Sequence, residues 1–384
     1  MFTNIFIYIF FTLIIAEIYI FLFFIKKLTK NILLRSLWFL PSVLLLGGLV
    51  LYLFGGFSND FRGVFAIIYI ALTLPKIVFL ILSLLDIPFR IFFKWKFYPF
   101  TIIALFFSVF ILYVMIYGSI EGKSKLTVKE VTFSSPNLPD SFDGLCIAHI
   151  SDLHLRYWKD TVTIAKMVEL INFQNPDIVA VTGDIVHHTA NELDEYEEIL
   201  SRINSKSGVY FVLGNHDYGQ YHRWRNVMEQ AENLLDLQKR IENMGWTSLN
   251  NDNVILAKGN ERIALIGVEN DGEPPFYGDG DLSKAIIGVE NEQFKILLSH
   301  NPSHWRREVL DTDIDLTLSG HTHGGQFSIS KLSFSSIRYK EWSGLYFEGN
   351  QGLYVNVGVG NVGIPFRFGS LPEITVITLR KKQL

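Results

Sequence analysis

The chain has 384 residues, of which 49% are hydrophobic, 14% aromatic and 19% charged, with a formal net charge of −4 and one cysteine. Two halves differ: residues 1–120 hold nine basic and three acidic residues, net +6, and residues 121–384 hold 25 basic and 35 acidic, net −10. An acidic globular part without Lys/Arg clusters argues against nucleic acid as a partner, and the lone Cys146 excludes an intramolecular disulfide or a thiolate metal cage.

Nearly uncharged stretches come first. Residues 1–25 carry only Glu17, 36–59 no charge, 63–85 only Lys76, and 97–120 none. A helix needs about 20 apolar residues to cross a bilayer, so an N-terminal all-α transmembrane region is expected, with four spans at about 4–25, 36–58, 63–85 and 97–118. Pro75-Lys76 interrupts the third. The first lacks a basic leader and a small-residue cleavage site, so it reads as a span rather than a signal peptide. Basic residues gather in the first loop (Lys26, Lys27, Lys30, Arg35) and the third (Arg90, Lys94, Lys96). Basic loops stay cytoplasmic. The expectation is therefore a multi-pass cell-membrane protein whose N-terminus and post-120 part lie outside the cytoplasm. Glu17 and Lys76 form either an interhelical pair or a polar site for a lipid headgroup.

Residues 121–137 read as a linker and 138–384 as one globular domain, long enough to bury a full core. Short β-branched runs at 144–150, 177–181, 209–213, 262–268, 294–298 and 315–318 read as strands. Helix-like stretches at 162–172 and 191–203 separate the first of them, which favours an α/β domain. Two late strands, 352–357 and 373–379, lack intervening helices and suggest a second sheet. The expected fold class is thus α/β, a two-sheet β-sandwich flanked by helices.

The strands stop in similar residues. They run into Ser151-Asp152-Leu153-His154, Thr182-Gly183-Asp184, Gly214-Asn215-His216-Asp217, Ser299-His300 and Gly320-His321-Thr322-His323. Open α/β sheets bind ligands at strand carboxyl ends, so five such ends mark one site. Asp, Asn and His without Cys make a nitrogen and oxygen donor set, which suits Mn, Fe or Zn. Asp152, His154, Asp184, Asn215, His300, His321 and His323 are too many donors for one ion. Two ions sharing a carboxylate, about 3.5–4 Å apart, use them all. Side chains two apart in an extended segment point the same way, so His321 and His323 are expected to serve separate ions. The flanking glycines would let backbone pass close to ions and substrate.

The run DLH…GD…GNHD…H…GHTH, over 152–323, resembles the calcineurin-like metallophosphoesterase superfamily. LPDSFDGL at 138–145, GHTHGGQ at 320–326 and the late RFGSLPEITVITL resemble a bacterial, membrane-associated phosphodiesterase branch. The resemblance implies one ion held by Asp152, His154 and His323 and another by Asn215, His300 and His321, with Asp184 bridging. It favours Mn, and implies that a hydroxide between the ions attacks phosphorus in line. His216 would stabilise the phosphoryl oxygen or protonate the leaving group, and Asp217 would orient His216. The GD and GNHD motifs lack the Arg and Glu of family protein phosphatases, which argues against a phosphoprotein substrate.

Four further residues are weaker substrate contacts. His187 stands where many relatives have an acid, and reads as a substrate contact, a contact behind a metal ligand, or an exposed loop residue. His222 and Arg223, with Arg225, offer a second-phosphate site or a solvated helix start. Arg367 offers an anion contact or a surface charge. His149 reads as core, and the acidic loop 271–281 lacks EF-hand spacing and reads as plain loop. Together these features point to a membrane-anchored two-metal phosphoesterase. Its expected partners are membrane lipids and a phosphodiester or diphosphate substrate, either lipid-linked, as the tether suggests, or a soluble nucleotide or periplasmic phosphoester. The alternative is a non-catalytic metal-binding scaffold or sensor of the same fold.

Overall fold

A computed structural model of the chain describes residues 2–94, 96–158, 160–274, 278–330 and 332–382. The chain divides into two compact units, Met1–Glu121 with Gly363–Phe366, and Gly122–Val362 with Arg367–Leu384.

The first unit is helical. α1 (Phe2–Ile20) continues through a π-turn at Phe21–Ile25 into α2 (Lys26–Leu28). Then come α3 (Ile32–Leu37), α4 (Leu40–Leu53), α5 (Asn59–Leu84), α6 (Asp86–Phe93) and α7 (Pro99–Ile120). Among the described residues, three stretches are long and apolar enough to cross a membrane: Ile32–Leu53, Phe61–Phe93 and Pro99–Ser124. The expected first span is also helical, but the side chains of residues 2–7 and 9 lie outside the described part. Large apolar side chains such as Leu44, Ile102 and Phe106 face outward, as lipid contact requires. Pro75 does not break the third span: α5 runs through it, and Ser108 Oγ of α7 donates to the Pro75 carbonyl at 2.8 Å. Lys76 Nζ and Ser42 Oγ both donate to Glu17 Oε1, and Lys76 lies over the Trp38 ring at 5.0 Å. Of the two alternatives for Glu17 and Lys76, the structure shows the interhelical pair.

The second unit holds two six-stranded sheets. Its strands are β1 (Thr127–Ser135), β2 (Cys146–Ile150), β3 (Ile178–Val181), β4 (Val209–Phe211), β5 (Thr247–Ser248), β6 (Asp252–Lys258) and β7 (Glu261–Gly267). These are followed by β8 (Lys295–Leu298), β9 (Leu316–Ser319), the short pair β10 (Ser328–Ile329) and β11 (Leu332–Ser333), β12 (Gly344–Glu348), β13 (Gln351–Val355) and β14 (Glu373–Lys381). The first sheet runs β1-β14-β2-β3-β4-β5 and the second β12-β13-β9-β8-β7-β6. β2, β3, β4 and β5 pair in parallel, as do β7, β8, β9 and β13.

Side chains alternate across each strand. Ile147, Ile178 and Ala180 meet Leu265, Ile296, Leu298 and Leu318 of the other sheet in the sandwich core. Their neighbours Ala148, Val179 and Val181 pack outward with α8 (Thr161–Phe173) and α10 (Val227–Asn243), beyond the short α9 (Glu197–Leu200). On the far face, Ile266, Leu297 and Val355 bury against α11 (Leu282–Ala285) and Trp305 of α12 (Ser303–Arg307). Both faces of the parallel strands are covered, which explains their unbroken apolar runs.

Two expectations are corrected. The late strands do not form a sheet of their own: β13 joins the second sheet and β14 the first. Periodicity fixes a strand's faces but not its partners. Most of the stretch read as linker is strand β1, paired with β14 from Thr127↔Glu373 to Ser135↔Lys381. It is an edge strand whose exposed charges mask its pattern, and Lys129 pairs with Glu373.

Candidate metal centre

The loops after β2, β3 and β4 of one sheet and β8 and β9 of the other converge. The backbone turns sharply at the exits of β2, β3 and β9. Asp152, His154, Asp184, His321 and His323 all adopt left-handed φ, between 43° and 69°. Such strain costs about 1–3 kcal/mol per residue and persists only where the surroundings enforce it. Two glycines permit the convergence. A Cβ at Gly214 would lie 2.3 Å from Asp184 Oδ1, and one at Gly320 would lie 2.4 Å from Asp152 Oδ2. Gly324 and Gly325 instead pack against Ser370 and Ser333, so they serve the loop rather than the donors.

The expected donors fall in two clusters, and His154 also meets His187 and His216 in a third. Asp152, His154 and His323 make the first and Asp184, His300 and His321 the second. In the first, His323 Nε2 lies 3.0 Å from His154 Nε2 and 3.2 Å from Asp152 Oδ1. In the second, His300 Nε2 lies 3.3 Å from Asp184 Oδ2, 3.2 Å from His321 Nδ1 and 3.2 Å from Asn215 Oδ1. Asp184 Oδ2 also comes within 3.6 Å of His154 Nε2, so this carboxylate stands between the clusters. His321 and His323 do divide, but not because the segment is extended: a left-handed turn at each separates them.

Outer contacts fix which atom of each donor faces inward. His300 Nδ1 donates to the Thr182 carbonyl at 2.6 Å, leaving Nε2 for the site. Asn215 Nδ2 donates to Tyr221 Oη at 2.9 Å, which aims Oδ1 inward. Tyr339 Oη sits 2.8 Å from His321 Nε2. His154 Nδ1 lies 3.1 Å from His187 Nδ1, and His187 Nε2 lies 3.2 Å from Tyr157 Oη. Tautomers set by such second partners tune a ligand's basicity and orientation.

Several expected roles change here. His187 is buried, not an exposed loop residue, and its ring stacks on His216 with centroids 4.4 Å apart. Asp217 does not orient His216. Its carboxylate accepts from the backbone N–H groups of Asp184, Ile185, Val186 and Gly214 at 2.8–3.2 Å. The His187 carbonyl holds His216 Nδ1 instead, at 2.9 Å. Arg367 is fully buried. It donates to the carbonyls of Val357, Gly360 and Ser370 and stands 3.1 Å from His323 Nδ1. It props the loop behind His323 rather than meeting substrate. His222 and Arg223 are exposed and outside both clusters, and Arg225 pairs with Glu229 at the start of α10. His149 is core, its Nε2 2.9 Å from Thr182 Oγ1. Residues 275–277 of the acidic loop lie outside the described part, but Asp271 meets His304 and Arg307. Sequence reasoning missed Tyr157, Tyr221 and Tyr339. Only Tyr221, six residues after Asn215, left a local trace.

The electrostatics suit a cation. Burial opposes ionisation of Asp152 and Asp184, yet the imidazoles of His323 and His300 hold both carboxyls below their usual range. Burial also keeps His154 neutral and pushes His321 down to about 3, so these nitrogens keep their lone pairs. His300 is the exception. Burial would lower it, but the Asp184 carboxylate raises it to about 9. Buried anions need a paired cation or a metal, and this nitrogen and oxygen set fits a divalent ion of the Mn, Fe or Zn type.

Comparison with known proteins gives the same answer. Residues 146–325 match the family described as calcineurin-like phosphoesterase. Residues 3–123 match a family described as a probable calcineurin-like phosphoesterase transmembrane domain. An uncharacterized metallophosphoesterase of Bacillus subtilis, YkuE, is 31% identical over 65% of this chain and 84% of its own length. The chain belongs to the calcineurin-like metallophosphoesterases. An uncharacterized metallophosphoesterase of Aquifex aeolicus is 30% identical over 67% of this chain and 93% of its own. A zebrafish (Danio rerio) transmembrane protein with a metallophosphoesterase domain is 32% identical over 69% of this chain, which spans only 60% of that relative. This metallophosphoesterase thus joins a catalytic-type unit to a transmembrane unit in one chain.

Proposed function

We propose that the chain is a multi-pass, membrane-anchored hydrolase that cleaves a phosphodiester or diphosphate bond with two divalent cations. The observation that carries this reading is Asp184, whose Oδ2 lies within 3.6 Å of His154 and 3.3 Å of His300, one from each cluster. When bound, such a cation pair supplies Lewis acidity and a nucleophile at neutral pH. The protein would supply the rest. His154, His323 and Asp152 hold one position. His300, His321 and Asn215 hold the other. His216 stands beside both with its Nδ1–H tied to a carbonyl, so its Nε2 can take up a proton and, as the imidazolium, donate to a phosphoryl oxygen or pass that proton to the leaving group.

The tether supports a substrate at the membrane, such as a lipid-linked phosphoester. The basic first and third loops support an extracytoplasmic catalytic unit. Labelling a cysteine placed near residue 125 on intact cells, in a Cys146→Ser background, tests the side. For the chemistry, purified protein with Mn²⁺ should hydrolyse an aryl phosphodiester, and Asp184→Ala should abolish turnover. His321→Ala and His323→Ala should each reduce bound metal from about two equivalents to about one. Full activity in Asp184→Ala would sink the reading. Two bound cations without turnover on any phosphoester would favour the scaffold alternative.

A further inference from the structure

At one end of the helical unit lies a cavity of about 370 Å³, walled by the π-turn, α2, α6 and the start of α7. Phe23, Lys27, Asp86, Arg90 and Tyr98 line it. Helices α2 and α6, far apart in sequence, thus place one cation each on the same cavity. Arg90 stacks on Tyr98, its guanidinium 4.5 Å from the ring centroid, and Lys27 Nζ lies 6.0 Å from the Phe23 centroid. The carboxylate in the wall makes its hydrogen bonds elsewhere. Asp86 is buried and accepts from Phe100 N–H at 3.1 Å, Thr101 N–H at 2.8 Å and Thr101 Oγ at 2.7 Å. It caps α7, where an anion is favoured by the helix N-terminus. Lys27 and Arg90 have no carboxylate partner among the described residues.

We propose that this cavity binds the phosphate of an anionic phospholipid, with Lys27 and Arg90 on the phosphate oxygens and the aromatic rings against the glycerol and upper acyl chain. Two cations that line one cavity without a direct carboxylate partner call for an anion. An aromatic wall, inside a unit whose outer faces are apolar, calls for one attached to an apolar tail. Cations and tyrosines at a membrane surface are the usual partners of such headgroups. The 22 residues of α7 span about 33 Å, close to the thickness of a bilayer core. Since the cavity lies by Tyr98 and Thr101, it faces the membrane surface opposite Ile120. The bound lipid is therefore a resident of that leaflet. Glu17 and Lys76 pair with each other elsewhere in the unit and do not line this cavity.

Native mass spectrometry of the full chain released from mixed phosphatidylglycerol and phosphatidylcholine nanodiscs tests this. Phosphatidylglycerol should be retained on the wild type, and Lys27→Gln/Arg90→Gln should reduce retention about tenfold or more, the loss of two charged contacts. The matched control Lys30→Gln/Lys94→Gln removes the same charge outside the lining and should retain the lipid. Arg90→Gln alone carries the comparison if the double variant does not fold. Equal loss in the control would overturn the site in favour of diffuse attraction. Equal retention of phosphatidylcholine would overturn the anionic requirement. Displacement of the lipid by millimolar inorganic phosphate would make it a free-anion site instead.

Discussion

His216 Nδ1 lies 2.9 Å from the carbonyl oxygen of His187, and the two rings stack with centroids 4.4 Å apart. A carbonyl only accepts, so Nδ1 carries the hydrogen and Nε2 keeps its lone pair. Tyr221 covers the other face at 4.2 Å, which leaves the imidazole little freedom to turn. Both contacts act on a group outside the two clusters that Asp184 joins, although it meets His154 and His187 in a third. His216→Asn should therefore keep its bound metal while kcat falls about 10²- to 10⁴-fold, the usual worth of a positioned acid or base. Metal analysis beside steady-state kinetics reads both; a loss of metal would instead make His216 a ligand. His187→Phe should keep the stack but remove the partner of His154 Nδ1, lowering metal affinity about 10- to 100-fold.

Asp217 carries four buried backbone N–H groups of the Asp184 and Asn215 loops. Burial and the nearby Asp184 charge push its carboxyl up to about 7, against those N–H groups, which favour the ionised form. Asp217→Ala would strand the donors, at a cost of about 3 kcal/mol or more. For a unit this size the Tm should drop by roughly 6–12 °C, measurable by calorimetry. A purely His216-orienting aspartate would instead lower kcat and leave Tm unchanged.

His300 is held at about 9 by Asp184, despite its burial. Without metal it is protonated at pH 7, and Nε2 must lose that proton to coordinate. Metal binding should then release close to one proton from this group, and affinity should weaken by about tenfold per unit as pH falls below 9. Titration calorimetry in two buffers of different ionisation enthalpy reports the proton count. Buffer-independent heats would show that His300 is already neutral.

Glu17 and Lys76 meet inside the helical unit, with Glu17 only 3% exposed. Lys76→Met alone leaves a buried carboxylate without its cation, a loss of about 3–5 kcal/mol for a broken buried pair. Glu17→Gln/Lys76→Met removes both charges and should recover most of that loss. Thermal unfolding in detergent, followed by size-exclusion fluorescence, compares the three. A double variant no better than the single one would mean that Lys76 acts through Trp38, not Glu17.

The sequence alone determined the apolar stretches, the buried strands and the motif at each strand end. Those features depend on neighbours a few residues away: run length, period two, and Gly, Asp, Asn or His at an exit. It also separated His321 from His323, although a pair of left-handed turns, not an extended segment, does the separating. Only the tertiary structure decided what the remaining groups touch. His187 lies 33 residues from His154, and Arg367 44 residues from His323; whether such residues face water or a ligand is set by which loops the two sheets bring together. The same holds for β1, whose pairing partner β14 is the last strand of the fold. Lys27 and Arg90 were legible as basic loop residues, but a shared cavity requires helix packing. Residue type and local period travel with the chain, whereas burial and partner are properties of contacts across it.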